Sequence, residues 1–567
     1  MKFDDTSTAG RHRPETGFQG EVLRCEVLRG VEALNWARSP ANRVLWIGLY
    51  ERCEWKHPFL SCDLFQLWLT HYGSMWEPLL VLGRDSREAL KALMPLAMSK
   101  GLITGIGAHQ AEYQGWLGGR AEAAQFVVDA LKLLGERMSA RRIHLKYLSA
   151  AMPLDTVREA LRGSARVSIV EHRTPLLALD KSAILASLQK KSTKSKVNRL
   201  QREGTLSFDA GSLAAWPAEV FDKVISLYDF RQGAAHNARP FLEDPHKRAF
   251  HLDWMRQFPK LLDLTLTRLD EEIIGAYFAV NSGPMSHVAI VAYSPFHARH
   301  SPGKLHIYNT ALALAERGRA WIDLTPGGDA WKERFATSHA AALELTVYLR
   351  AADALRSRAA QASRRSAHAL LAIFRISPGG LRLAARRAIA LVRRVIDKFR
   401  LRGMVAARAT HCLYQVGLES VGAVEYGACP KANCLDDLVR FTSCGDRRDA
   451  QTYLGQALAR LEAGGKCYTL ADAEGLRFCA WACSTSQSDL LAEFSLPQKF
   501  PRTGTVLYDV VTGPRGRPFE HCAELIHVIL SDLKRAGKSG AVYAWVRADD
   551  LQWRRMLERL GFERDPR

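Results

Sequence analysis

The amino-acid sequence predicts an α/β (α+β) protein made of repeated mixed-sheet units flanked by helices. Three observations predict it. Short apolar runs with the density of half-buried strands alternate with stretches of helical spacing along most of the chain. The order strand, Gly- and Arg-containing loop, helix, strand, helix occurs over Met285–Phe335 and again in the final stretch, about 220 residues later. At 567 residues the chain is also too long for one core, and roughly 150 residues per domain implies three or four folding units.

Composition narrows the class. Hydrophobic residues make up 47% and there are 13 Trp, so the chain is globular rather than disordered. Its formal net charge of +20, from 79 Lys and Arg against 59 Asp and Glu, points to an anionic partner without choosing among nucleotide cofactor, nucleic acid, phospholipid and acidic polymer. The 11 Cys are scattered, with no CxxC pair and no zinc-finger spacing, which reads as reduced core thiols and no metal. The first residues lack a signal-peptide apolar core, and no later stretch reaches the roughly 18 apolar residues that span a bilayer. The expected location is cytoplasmic.

In order, residues 1–18 are a polar tail. Strand and helix patterns begin at EVLRCEVLRG, followed by a helix near Val31–Arg38 and the apolar VLWIGLY, and HPFLSCDLFQLWLTHYG places Phe59, Leu64, Leu67 and Trp68 on one helical face, with Ser61 or Asp63 as N-cap. The strands PLLVLGR, ALKALMPLAMSKG and LITGIGA come next, then the helix AAQFVVDALKLLGERM and the strand RIHLKYL. Trp68, Trp76 and Phe126 read as core. Residues 181–204 form a basic, helix-rich segment closed by Gly204, with cations at 190, 191, 194, 196, 199 and 202 too dense for one narrow stripe; they form either a solvated face or a cofactor contact. The strand LSFDAG, a helix from Pro217, the helix RAFHLDWMRQF and a hairpin over Leu262–Ser282 lead into Met285.

Within Met285–Phe335 the strand VAIVAY gives way to His297-Ala298-Arg299-His300-Ser301-Pro302-Gly303-Lys304 and then to Leu305, Tyr308, Leu312 and Ala315 at helical spacing. Cations, a hydroxyl and a flexible Gly at a helix start suit phosphate, because free N–H groups and the positive end of the helix dipole face the anion.

After LELTVYLRA, residues 352–403 carry thirteen Lys or Arg against Asp353 and Asp397. Apolar and basic residues repeat there at helical spacing, which fits an inter-domain helix or a helix lying on an anionic leaflet. Aromatic stacking platforms are absent from it, which argues against nucleic acid. From Met404 come HCLYQVG, the helices LDDLVRFTSCGD and AQTYLGQALARLEAGG, the strands CYTLADAE, GLRFCAWACST and SDLLAEFSL, and the terminal repeat of the central layout.

At these residues the chain resembles the GNAT acyltransferase superfamily. The terminal copy carries VLYDVV, the reduced loop Pro514-Arg515-Gly516-Arg517, the helix Phe519–Ala536, AVYAWV and ERLGF. The region from about Val22 to Tyr348 resembles the CelD-like branch, found with cellulose and exopolysaccharide biosynthesis and related in layout to the peptidoglycan aminoacyl-transferases. It does so through Pro58-Phe59, Pro95-Leu96, Tyr113, SKVNRLQREG, Ser301-Pro302-Gly303, and Asp323 followed by Gly327, Asp329, Trp331, Lys332 and Arg334. The fold so implied is tandem GNAT-like mixed-sheet units. They are an N-terminal half (19–180), a central acyl-CoA-binding half (181–351), the basic linker (352–403) and a C-terminal GNAT-like domain (404–567).

The resemblance implies acetyl-CoA or another acyl-CoA as co-substrate, held by Tyr293, Arg299, His300, Ser301, Pro302, Gly303 and Lys304. It implies pantetheine along Val288–Tyr293 beside Ala320–Leu324. Asp323, Asp329 and Lys332 are the catalytic candidates. Asp323 is a base or fixes a turn, Asp329 is a base or caps WKERF, and Lys332 and Arg334 hold an anionic group or face solvent. The terminal copy departs from the pattern, with Pro518 where a second loop Gly is usual and Leu557 where a Tyr acid is usual; Asp509 and Glu520 remain its possible bases. The implied activity is N- or O-acyl transfer to a sugar, lipid-linked sugar or polysaccharide precursor. Alternatives are a scaffold for a membrane-associated polysaccharide synthase, peripheral at the inner face of the membrane, and an aminoacyl-tRNA-dependent transferase.

Overall fold

The computed structural model describes residues 23–149, 151–160, 166–211, 216–359, 411–420, 430–442, 448–487, 491, 500, 502–512, 520–537 and 540–565. The chain begins β1 (Arg24–Arg29), α1 (Gly30–Arg38), α2 (Pro40–Arg52), α3 (Cys62–Tyr72), β2 (Glu77–Arg84), β3 (Leu90–Ser99), β4 (Leu102–Gly105), β5 (Leu117–Gly118), α4 (Arg120–Arg137), β6 (Arg142–Ser149), α5 (Leu154–Ala160) and β7 (Val167–Ala178). It continues α6 (Lys181–Gln189), α7 (Lys191–Glu203), β8 (Leu206–Ala210), α8 (Ala218–His236), α9 (Pro240–Glu243), α10 (Lys247–Gln257), β9 (Leu262–Leu269), β10 (Glu272–Ser282), β11 (Met285–Tyr293), α11 (Pro302–Glu316), β12 (Trp321–Asp323), α12 (Ala330–Phe335) and β13 (Ser338–Tyr348). The last elements are β14 (His411–Gly417), β15 (Lys431–Ala432), α13 (Leu435–Leu438), α14 (Ala450–Glu462), β16 (Lys466–Asp472), β17 (Gly475–Ser484), β18 (Gly504–Thr512), α15 (Glu520–Arg535), β19 (Ala541–Arg547), α16 (Leu551–Arg559) and β20 (Glu563–Arg564).

The fold is mixed α/β, with helices flanking mixed sheets. It divides into two compact units, residues 1–178 with 323–362 and residues 179–322 with 363–567. In the first unit the strands run β1-β2-β3-β4-β6-β13-β7, antiparallel except for β4 against β6. In the second, β11-β10-β9-β8 form an antiparallel meander with β12 beside β11. A separate sheet in that unit runs β15-β16-β17-β18-β19-β14-β20, with β18 and β19 parallel.

One boundary differs from the sequence expectation. Residues 323–351, expected in the central half, belong to the first unit, because β13 is bonded along its length to β6 and β7. Periodicity shows that a segment is a strand, but not which edge receives its backbone N–H and C=O groups.

Local chemistry explains the elements near the candidate residues. Ser61, not Asp63, caps α3: its Oγ accepts from the Leu64 N–H at 3.2 Å. β2 and β3 are buried nearly throughout, as their continuous apolar runs require. Trp68, Trp76 and Phe126 are core residues at 2%, 9% and 1% exposure. α7 ends where the Gly204 N–H returns to the Leu200 carbonyl. α13 is one turn rather than the longer helix expected, and its buried Asp437 accepts from Thr469 Oγ at 3.0 Å.

The nine cysteines among the described residues are unpaired thiols. Among those residues no helix is long and apolar enough to cross a membrane. The basic segment from 360 to 403, the loop 514–517 with Pro518, and the expected strand 488–496 apart from Leu491 lie outside the described residues.

Candidate functional site

The second unit builds the loop ahead of α11 from two helices packed side by side. Leu200 of α7 and Leu305 of α11 share one apolar cluster with Leu269 and Ile274. One turn back on each helix stand Lys196 and Ser301, and the Lys196 ammonium donates to Ser301 Oγ at 2.6 Å. Ser301 holds a left-handed backbone (φ +53°), a conformation costing about 1–2 kcal/mol for a side-chain-bearing residue and concentrated at functional sites. Its hydroxyl makes no cap bond to α11, and Pro302 fills the first helical position, where a missing N–H costs nothing. Gly303 is required by contact, since a Cβ there would lie 2.9 Å from ring carbons of Tyr293.

Two carboxylates stitch the loop down. Glu203, at the end of α7, accepts from Arg299 at 2.5 Å and meets His300 Nε2 at 2.9 Å. Glu272, on β10, accepts from Ser294 Oγ at 2.8 Å and meets His297 Nε2 at 3.1 Å. Burial opposes ionisation of Glu203, but hydrogen bonds from His300 and Arg299 hold its carboxyl below the ordinary range. The Glu272 hydrogen bond, against burial, lifts His297 above the ordinary imidazole value. Arg299 keeps 71% of its side chain exposed, and Lys304 is exposed at the helix start.

His300 is 4% exposed and its Nδ1 has no protein partner. An unsatisfied buried nitrogen, two exposed cations and the N-terminus of a 15-residue helix fit a phosphate-bearing ligand such as the diphosphate of acyl-CoA. Sequence reasoning named Tyr293, Arg299, His300, Ser301, Pro302, Gly303 and Lys304 but assigned no particular role to Lys196 or Glu203. The available signal was Thr193, Val197 and Leu200 at helical spacing, which puts Lys196 on the border of the buried face of α7.

The first unit contains the other three candidates. Asp323 is 3% exposed, and both of its oxygens are engaged: Oδ2 accepts from the Tyr113 hydroxyl at 2.6 Å and Oδ1 from the Thr325 N–H at 2.7 Å. It therefore shapes the turn, where Thr325 has φ +61°, and also forms a phenol–carboxylate pair. Burial first, and then the Asp323 charge, push the Tyr113 phenol well above its usual pKa, so it stays protonated. Such a pair can relay a proton, the phenol oxygen taking one as its own passes to the carboxylate.

Asp329 occupies the N-cap position of α12 without a side-chain cap bond and pairs with Lys332 at 3.4 Å. Lys332 is 8% exposed; its ammonium donates to Thr325 O and Oγ1 at 3.2 Å and to Pro326 O at 3.3 Å, bracing the turn. Of the two cations in α12, only Arg334 is exposed.

Each of the two units also has a parallel strand pair that separates. β4 and β6 pair from Leu102–Arg142 as far as Thr104–His144, and the gap beyond is occupied by Gln114. Its Oε1 accepts from Thr104 Oγ1, the Gly105 N–H and the Lys146 N–H at 3.2, 3.2 and 3.0 Å. β18 and β19 pair from Gly504–Ala541 as far as Leu507–Ala544. Beyond that point Asp509, at φ +44°, accepts from Arg448 at 2.7 Å and from Arg460 at 2.6 Å. Burial would raise the Asp509 carboxyl, but Arg460 and Arg448 overcome it and hold the group below the usual range. A carboxylate so held is a weaker base than a free one; Leu557 is core at 1% exposure.

Residues 187–333, from α6 to α12, match the family model of an acetyltransferase (GNAT) domain. The chain carries a GNAT domain. The match contains Lys196, the whole loop and all three catalytic candidates, and the domain is of the acyltransferase kind. Among solved structures the chain is similar to the C-terminal domain of a putative lysylphosphatidylglycerol synthetase from Agrobacterium fabrum, at 14% identity over 47% of this chain and 83% of that one, with a TM-score of 0.33. It is similar to FemX at 11% identity over 54% and 96%, with a TM-score of 0.38. It is also similar to a tandem GNAT protein from the clavulanic acid biosynthesis pathway at 12% identity over 58% and 99%, with a TM-score of 0.35. A search of curated proteins gave no match.

Proposed function

We propose that the chain is a CelD-like, acyl-CoA-dependent N- or O-acyltransferase acting on a sugar, lipid-linked sugar or polysaccharide precursor of the cell envelope. The observation that carries this reading is the left-handed Ser301 turn at the start of α11, with Lys196 on its hydroxyl and Arg299 and Lys304 exposed, inside the GNAT-matched span. When bound, acyl-CoA supplies an acyl group activated as a thioester. Lys196, Ser301, Lys304 and the Gly303 N–H would hold its phosphates, the Lys304 and Leu305 N–H groups being bonded to the Ser301 carbonyl, and Arg299 would exchange Glu203 for phosphate at small cost because their ion pair is exposed. Asp323 receives the proton of the acceptor amine or hydroxyl through Tyr113, while Asp329 and Lys332 keep the turn in shape.

A second reading, an aminoacyl-tRNA donor, is favoured by one feature: Lys191, Lys194, Arg199 and Arg202 are all exposed on α7. Thermal melting separates the two. Acetyl-CoA at a hundredfold excess over its Kd stabilises the binding unit by about 2.7 kcal/mol, and Arg299→Ala with Lys304→Ala removes the shift. Stabilisation by aminoacyl-tRNA and by no acyl-CoA overturns the first reading.

A further inference from the structure

The terminal module touches the GNAT domain through α14, which lies along α8. Leu454 of α14 packs so closely on Gly233 of α8 that a Cβ there would come within 2.5 Å of it. Gln451 donates to the Ala235 carbonyl at 2.8 Å, Arg239 donates to the Val439 and Phe441 carbonyls at 2.9 and 3.2 Å, and Ser226 bonds to Asp436. These contacts hold the module in place. One further contact leads to the donor loop.

Arg231, on α8, pairs with Glu462 at the end of α14 at 3.5 Å. Its guanidinium lies over the ring of Tyr293, 3.3 Å from the centroid, and donates to the phenolic oxygen. Tyr293 ends β11, and its ring rests on the Cα of Gly303 in the first turn of α11. The sequence Glu462, Arg231, Tyr293, Gly303 is therefore a continuous stack from the terminal module to the residue beside Ser301. Each member has a reason to keep its place. The guanidinium has 17% of its side chain exposed, Glu462 is the acid paired with it, and the π face takes the remaining charge. Gly303 is the residue type that leaves room for the ring.

The same module has bound its own divergent strand with Arg448, Asp509 and Arg460, and Arg460 is 2% exposed. We propose that the terminal module is a positioning domain for the donor loop, acting through Glu462 and Arg231 on Tyr293, and so sets the register of the first turn of α11 on which phosphate binding depends. The loop contact follows from the geometry; its consequence for phosphate rests on the acyl-CoA reading above.

The test uses the full chain with Glu462→Ala and, as a control in the same interface but off the stack, Asp436→Ala. Hydrogen exchange of the 298–305 amides without ligand reads the loop directly, and titration with coenzyme A reads the phosphate site. Glu462→Ala should raise exchange of 298–305 several-fold and weaken coenzyme A about three- to tenfold, with Glu462→Asp restoring part of both; Asp436→Ala should leave both unchanged. Unchanged loop exchange in Glu462→Ala, or equal increases in the two variants, overturns the proposal. If loop exchange rises only in Glu462→Ala but the wild-type chain binds no coenzyme A, the positioning role stands and the acyl-CoA reading falls. Arg231→Met, which keeps the bulk and removes the charge, should exceed Glu462→Ala in both readouts, and a smaller effect also counts against the proposal.

Discussion

The loop ahead of α11 and the divergent strand of the terminal module both set arginine against a carboxylate, one at Glu203 and two at Asp509, yet they use it in opposite ways. Around Glu203, Arg299 leaves 71% of its side chain in water; around Asp509, Arg460 leaves 2%. An exposed pair is worth roughly 0–1 kcal/mol and can exchange its partner for a phosphate. A buried pair loses about 3–5 kcal/mol when one member goes, so its cation is not available to a ligand. The two regions thus differ in the solvent exposure of their cations. In the first unit it is instead the neutral amide of Gln114 that is bonded across the gap between β4 and β6.

Breaking the terminal pair should have the largest effect. Arg460→Met is expected to destabilise the second unit by about 3–5 kcal/mol in urea unfolding, whereas a cost below about 1 kcal/mol would mean that the pair is as exchangeable as that of Arg299. Next, Gln114→Ala leaves three donors facing a gap and should cost about 1–3 kcal/mol. The same variant sharpens the comparison, because it should create no new coenzyme A site.

A pH series probes the same contrast through Asp509. Its folded pKa is depressed, so its stabilisation is fully present above the unfolded carboxyl value, near 4, and is lost as pH falls through the lower folded value. The stability difference between the wild type and Asp509→Asn should accordingly be constant from pH 5 to 7 and shrink below about pH 4. The smallest stability effect belongs to Arg299→Ala, expected within about 1 kcal/mol of the wild type, with weakened coenzyme A binding as its main signature.

The parts of the site that were legible in the sequence are the local ones. Ser301, Pro302, Gly303 and Lys304 sit together, and the change from strand to helical spacing around them marks β11 and α11. The partners that give those residues their environment are distant in the chain. Tyr113 and Asp323 are 210 positions apart, Lys196 and Ser301 are 105 apart, and Arg231 and Glu462 are 231 apart. Hydrophobic period cannot encode which helix lies beside which. Lys332 shows the same limit: a lysine in the short run WKERF reads as solvated or ligand-binding, and only the turn at Thr325 and Pro326 shows it buried with its donors engaged. Strand membership behaved likewise, since β13 is plain as a strand but is assigned to its unit only by its ladder with β6 and β7.

The central proposal is that the loop ahead of α11, and no other part of the chain, accepts an acyl-CoA donor. Isothermal titration of the full chain with coenzyme A tests this most directly, because it reads stoichiometry as well as affinity. The account predicts one site per chain, abolished by Arg299→Ala with Lys304→Ala and retained in Gln114→Ala. Two sites per chain, or one site that survives the double substitution, would contradict it.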